Sequence, residues 1–472
     1  MTSRDNSCPF VVERLEVVLV KPSKPTPDVN LSLSTIDNDP NNELILEIIC
    51  VFAPNSYVQD HADHHPAYLL QLALSNALVY YYPLAGKLHR RSNDQRFQLN
   101  CKAGDGVPFI KATALCTLSS LSYLESANNL DGAYHQLVPS HDTLKGCNSG
   151  YNPLALQVTK FACGGMTIGM TYSHTVCDGV GMTQFSQAIL ELASGKTQPT
   201  VIPVWDRDRL TSSQISGVNL GNIGSDDKNP KLVYLEKACS SPDTPTEDMV
   251  RETLNITSED ITKFKNIIME DENDLTNKKI KKNMVITTVE VLAAYVWRAR
   301  CRAMKLDPDK TTVLMISVGI RNTMDPPLPK GYYGNAFVIA FVALTAKELS
   351  KTPMSRLVKL IKDAKREAVE NCYLWEQLRE MENTMEMRLA SKEICGGETM
   401  MMTDWRHPGM HQDVWGGLVN IIPLVPITLP FLSILLPVSK AVPGKNGGVR
   451  MLITLPRDAM AKFKEEMDAL HA

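Results

Sequence analysis

The chain has 472 residues, 44% apolar and 21% charged, with a net charge of −3. This composition is ordinary for a globular protein with a large core, and no basic stripe of the kind nucleic acid requires is present. Eleven cysteines are scattered with no C-x-x-C pair, which predicts reduced thiols in a cytoplasmic protein rather than a disulfide framework.

Taken in chain order, the first residues, MTSRDNSCPFVVERLEVV, lack a charged-then-apolar signal pattern. The stretch QDHADHHPAY carries His61, His64 and His65. Its polarity predicts a solvated loop before a helix rather than a metal site. Residues 154–161, LALQVTKF, alternate Leu154, Leu156 and Val158 against Ala155, Gln157 and Thr159, the pattern of a half-buried strand. Residues 165–173 follow a Gly164-Gly165 turn as an antiparallel partner. Met182, Phe185, Ile189 and Leu192 then recur at helical spacing, with Gly195 placed to end the helix. Residues 206–249 are rich in Ser, Asp, Asn and Pro and read as a crossover between two mixed α/β halves. The division expected is 1–205, a linker over 206–249, and 250–472.

In the second half, KKIKK (278–282) reads as a solvated element entrance. Thr287-x-x-Glu290 is a capping box opening a helix. Residues 313–320 and 449–455 read as strands, 355–372 as an amphipathic helix, and Met460, Phe463 and Met467 mark one face of a final helix. The run 418–438 has the length and apolarity of a membrane helix, but it holds Pro423, Pro426, Pro430 and Pro437. Prolines at that density remove too many helical hydrogen bonds, so buried strands with kinks or loops are expected.

The chemistry concentrates in MTYSHTVCDGVGM (170–182), where a strand ends and a turn leads into a helix. A zinc site would need more ligands than His174, Cys177 and Asp178, and no second cluster complements them. A nucleophilic Cys177 would need a cationic or helix-N-terminal setting to lower its pKa; buried cysteines more often fill space. G-x-S-x-G, H-E-x-x-H, Walker and G-x-G-x-x-G patterns do not occur. A lone His acting as general base is the simplest chemical option, beside the reading of His174 as a core histidine. Asp178 either orients the imidazole, as in a triad, or points away to a distant cation and fixes the turn. Gly179 would supply a backbone angle closed to other residues.

The segment HTVCDG resembles the H-x-x-x-D-G motif of the plant BAHD acyltransferases, and its company spans nearly the whole chain. VKPSKPTPDVNLSLSTIDN, LVYYYPLAGKL, PLALQVTKFACGGMTIG, TTVEVLAAYVWRAR, GIRNTMDPPLPKGYYGN and TDWR follow in family order. The phrases look closest to the spermidine hydroxycinnamoyltransferase-like clade, near taxane and alkaloid acyltransferases. The resemblance implies an α/β fold of two chloramphenicol-acetyltransferase-like domains with a solvent channel between them. It implies His174 as general base, Asp178 turned away toward Arg321, Gly179 in the same motif, and Tyr333, Gly334 and Asn335 near the channel wall. It also implies an acyl-CoA co-substrate, no permanently bound cofactor or metal, a small-molecule acceptor, no membrane or nucleic-acid partner, and a monomer. The expected reaction moves a hydroxycinnamoyl or benzoyl group to an amine or hydroxyl of a polyamine, alkaloid or terpenoid. A non-catalytic binding protein on the same scaffold is the alternative. Its one support is a departure: the family's D-F-G-W-G appears as DVWGG, containing Asp413, Trp415 and Gly417, with Val414 where the aromatic should be.

Overall fold

The computed structural model describes residues 10–54, 66–125, 132–145, 150–211, 248–275, 285–390, 398–406, 417–426, 429–441 and 447–468. The strands of the first half are β1 (Val12–Val20), β2 (Val29–Ser32), β3 (Ile45–Phe52), β4 (Lys87–Arg90), β5 (Phe97–Cys101), β6 (Val107–Ala114), β7 (Leu154–Phe161) and β8 (Met166–Ser173). Those of the second half are β9 (Met249–Ile256), β10 (Thr311–Gly319), β11 (Phe337–Thr345), β12 (Thr399–Asp404), β13 (Leu418–Pro423), β14 (Leu432–Pro437) and β15 (Val449–Pro456). They form a six-stranded sheet β1-β6-β7-β8-β3-β13, a second six-stranded sheet β11-β10-β12-β14-β15-β9, and a small sheet β2-β5-β4.

Each large sheet packs its helices for a reason visible in the sequence. On the first, Pro66–Tyr80 buries Leu70, Ala73, Leu74, Ala77 and Leu78. Beside it, Gly179–Ala193 buries Met182, Phe185, Ile189 and Leu192, the stripe expected from spacing, and Gly195 follows with φ +90°. On the second, the capping box forms as expected. Thr287 Oγ1 accepts from Glu290 N, while Glu290 Oε2 accepts from Thr287 N at 2.9 Å. Glu290 also takes Lys365 Nζ at 2.8 Å, tying Thr288–Ala303 to the amphipathic helix Met354–Ala368. The final helix, Arg457–Asp468, buries Met460, Phe463 and Met467.

Three expectations change. The strand 154–161 is not half-buried: Leu154 through Thr159 are all buried. Leu154, Leu156 and Val158 face the helices. The other face is covered by chain near Gln136–Pro139, where Gln157 Nε2 donates to Gln136 O at 2.6 Å and Thr171 Oγ1 to Pro139 O at 2.6 Å. Satisfied polar side chains mimic the alternation of a solvated face. Second, the division at 205 and 250 does not hold for every strand. The run 418–438 forms two strands in different sheets: β13 pairs with β3 of the first sheet, and β14 with β12 and β15 of the second. Pro423 and Pro437 close these strands, and β13 is an edge, where proline is tolerated. Third, the expected linker does not begin at 206. Arg207–Leu210 form a helical turn with Arg207 and Leu210 buried. Most of that segment, with KKIKK and His61, His64 and His65, lies outside the described residues. Among the described residues no helix is long and apolar enough to cross a membrane.

Candidate active site

β8 pairs with β3 along its whole length, from Met166↔Phe52 to Ser173↔Ile45. His174 follows directly, its main-chain N donating to Leu44 O at 2.8 Å. The chain then turns through Thr175, Val176 and Cys177 and starts the helix at Gly179, with Asp178 as N-cap. The turn lies at the seam between the halves: the His174 ring meets Phe337 of β11 edge-on, centroids 6.0 Å apart.

The two readings of Asp178 are resolved by its hydrogen bonds. Oδ1 accepts from Gly181 N (2.9 Å) and Arg321 NH2 (2.7 Å). Oδ2 accepts from Arg321 NH1 (2.8 Å) and Ala336 N (3.1 Å). With these four donors the carboxylate is fully engaged, and none belongs to His174. Asp178 therefore caps a helix with one oxygen and clasps the opposite half in bidentate fashion. Arg321 in turn donates to Gly334 O (2.7 Å) and Tyr332 O (3.3 Å), holding the loop before β11.

His174 is left without a carboxylate partner; its Nδ1 is buried with no hydrogen bond. Burial lowers its pKa from 6.5, opposed by the charge of Asp178, its own main-chain carbonyl and Asp37. Desolvation wins because an imidazolium in a low-dielectric site loses more hydration than charges that do not touch the ring return. A neutral imidazole is the form that accepts a proton. Cys177 is buried, and burial followed by the Asp178 charge pushes its thiol far above the thiol range. A thiolate does not form there, so Cys177 fills space.

Gly179 does not have the role expected of it. It is absent from the left-handed glycines, and nothing lies within 4 Å of where its Cβ would sit. The turn instead needs Gly181, where a Cβ would overlap the Tyr333 carbonyl. We expect Gly179→Ala to be neutral within about 1 kcal/mol and Gly181→Ala to cost at least about 1–3 kcal/mol through overpacking. Thermal unfolding of the pair checks this; equal melting temperatures would contradict it.

Of Tyr333, Gly334 and Asn335, the structure brings Asn335 onto His174 and packs the other two beside it in the loop before β11. Tyr333 packs edge-on against Tyr81 and Trp205, and Asn335 Nδ2 donates to His174 O at 2.8 Å. Gly417 does not reach the site. Its carbonyl accepts from Ala53 N at 2.8 Å, at the far end of β3 from His174, roughly 30 Å away at about 3.3 Å of rise per residue. Asp413 and Trp415 lie outside the described residues. The site also contains Asp37 and Arg207, which the sequence reading did not single out. Asp37 lies inside STIDN and Arg207 in the segment that reads as a linker; a charged side chain carries no local mark of being buried.

The class of protein follows. A model of the Transferase family matches residues 10–470. The chain belongs to this family, the BAHD acyltransferases, and is an acyl-CoA-dependent acyltransferase of specialised metabolites. It is 42% identical to a spermidine sinapoyl-CoA acyltransferase of Arabidopsis thaliana over 98% of each chain. A spermidine coumaroyl-CoA acyltransferase of the same plant is also 42% identical, over 97% of this chain and 95% of the relative. The crystal structure of vinorine synthase superposes over 98% of each chain with a TM-score of 0.71 at 21% identity, which establishes the two-domain chloramphenicol-acetyltransferase-like fold.

Proposed function

We propose that this enzyme moves a hydroxycinnamoyl group from CoA to an amine of a polyamine such as spermidine, with His174 as general base. The observation that carries the substrate class is the 42% identity, over nearly the whole chain, to two transferases of spermidine. The chemistry rests on a partly exposed, neutral imidazole at the seam of the halves. We place the reaction in the cytoplasm, on the scattered cysteine pattern, and take the acting unit to be the monomer.

The steps follow from the basicities involved. The neutral form of an acceptor amine attacks the thioester carbonyl, and its N–H becomes acidic as the C–N bond forms. His174 accepts that proton. Nδ1 is buried without a hydrogen-bond partner, so we assign Nε2 as the accepting nitrogen. The tetrahedral oxyanion collapses and expels CoA thiolate, a good leaving group because a thiol ionises near pKa ~8.5. The imidazolium returns its proton to the thiolate. No covalent enzyme intermediate forms, which agrees with an inert Cys177. Asp178 keeps the turn in place from the far side without entering the reaction.

A matrix of acyl-CoAs against acceptors, read by product mass, tests the substrate class. We expect hydroxycinnamoyl-CoA and spermidine to give N-acylated spermidine at the highest kcat/KM. Transfer confined to benzoyl-CoA, or to alkaloid or terpenoid alcohols, would overturn the assignment.

A further inference from the structure

The main-chain carbonyls of His174, Thr175 and Val176 are all held. Asn335 Nδ2 donates to His174 O at 2.8 Å and lies 3.4 Å from Thr175 O. Arg207 NH2 donates to Val176 O at 2.7 Å. Both holders converge on one carboxylate. Asp37 Oδ1 accepts from Asn335 Nδ2 (2.8 Å), Asn335 N (3.1 Å) and Arg207 NH1 (3.1 Å), and Oδ2 accepts from Arg207 NH1 (3.0 Å) and Ser34 N (3.0 Å). Asp37 and Arg207 have no side-chain exposure. We propose that Asp37, through Asn335 and Arg207, is the positioning hub of the His174 turn, a second clamp distinct from the Asp178–Arg321 pair.

The arrangement has the marks of a rigid support. It draws on three separated parts of the chain: the loop after β2, the turn after Trp205, and the loop before β11. The guanidinium of Arg207 is boxed in by Trp205, Tyr332 and Tyr333, with its central carbon 4.2, 5.3 and 5.2 Å from their ring centres. A Cβ at Gly334 would overlap that guanidinium, so the glycine makes room for Arg207. A buried ion pair of this kind adds little net stability against an apolar replacement. Its gain is geometric: two planar donors fix the carbonyls on one side of the turn while Asp178 fixes the other. The charges facing His174 are then Asp37 and Asp178, each neutralised by an arginine, while Phe337 meets the ring itself.

This inference rests on His174 being the base, and the test separates the two claims. Arg207→Lys keeps a charge beside Asp37 but cannot reach both it and Val176 O with a planar fork. Asn335→Ala removes the hold on His174 O and leaves the main-chain bond to Asp37. In folded protein, each should lower kcat about tenfold to a hundredfold, the scale of a sub-ångström to ångström misplacement. The KM values for acyl-CoA and acceptor should stay within about threefold, because no binding contact is removed. Asp37→Asn should lower kcat likewise and move the acid limb of the kcat–pH profile to lower pH, since a charge favouring the imidazolium is gone. Unchanged kcat in soluble Arg207→Lys and Asn335→Ala, or losses confined to KM, would overturn the clamp. Full activity in His174→Ala would instead overturn the base assignment and leave the clamp without an object.

Discussion

Replacing His174 with alanine is expected to lower kcat by about 10²–10⁴-fold, the usual contribution of general acid–base catalysis, while the protein keeps its fold. The ring contributes one edge-on contact to Phe337 and no side-chain hydrogen bond from its buried Nδ1. The turn is held through its own main chain, by His174 N donating to Leu44 O and by the Asn335 and Arg207 side chains donating to its carbonyls, all of which alanine retains. Melting temperature should therefore move by no more than a few degrees. The wild-type enzyme should show the matching pH signature. Only the neutral imidazole accepts a proton, and burial lowers its pKa from 6.5. With the rate expressed per neutral amine, the acid limb of kcat/KM should accordingly fall below pH 6.5, with activity retained above it. A limb above 6.5 on that scale, or turnover within tenfold of wild type in the alanine variant, would argue against His174 as the base.

The second large effect belongs to Asp178. Asp178→Ala removes four accepted hydrogen bonds and leaves Arg321, itself largely buried, without its counter-charge. Removing one member of a buried pair costs about 3–5 kcal/mol, and loss of the helix cap adds about 1 kcal/mol. Asp178→Asn keeps a capping oxygen but not the charge, and should fall between. Activity should drop in both variants because the turn and the loop before β11 lose their common anchor. A double-mutant cycle with Arg321→Met should recover part of the lost stability, since the orphaned guanidinium is gone. Additive losses would show that the pair is not coupled. If Asp178 instead oriented the imidazole, Asp178→Asn would cut kcat steeply with stability unchanged, the opposite pattern.

How much was legible in advance differs by level. Local elements were legible wherever the signal is local. The Thr287–Glu290 box, the 182–192 stripe and the strands flanking Gly164-Gly165 each depend on neighbours within a few residues. Burial at 154–161 is not legible locally, because Gln157 donates both to the Gln136 carbonyl 21 residues upstream and to Thr159 Oγ1, so the polar side chains satisfy themselves inside the fold. HTVCDG stood out for three reactive side chains in five residues, and His174 was the simplest base among them. Its neighbours did not sort themselves: from residues only, Asp178 had two directions to point, and resemblance to the family chose between them before the hydrogen bonds did. Gly179 was credited with a backbone freedom that it does not use, while Gly181, two residues on, meets the crowding.

What the sequence by itself determined was therefore the family, the α/β class and a candidate base at His174, since motif order and short-range periodicity are written along one segment at a time. What only the tertiary structure decided was everything that closes around that base. Asp178 meets Arg321, Asp37 meets Arg207, and Asn335 reaches the His174 carbonyl across 161 residues of chain. β13 leaves its own half to pair with β3. The physical reason is common to all of them. A buried charge or an edge strand is tolerated only when a partner from elsewhere satisfies it, and no residue carries the address of a partner hundreds of positions away.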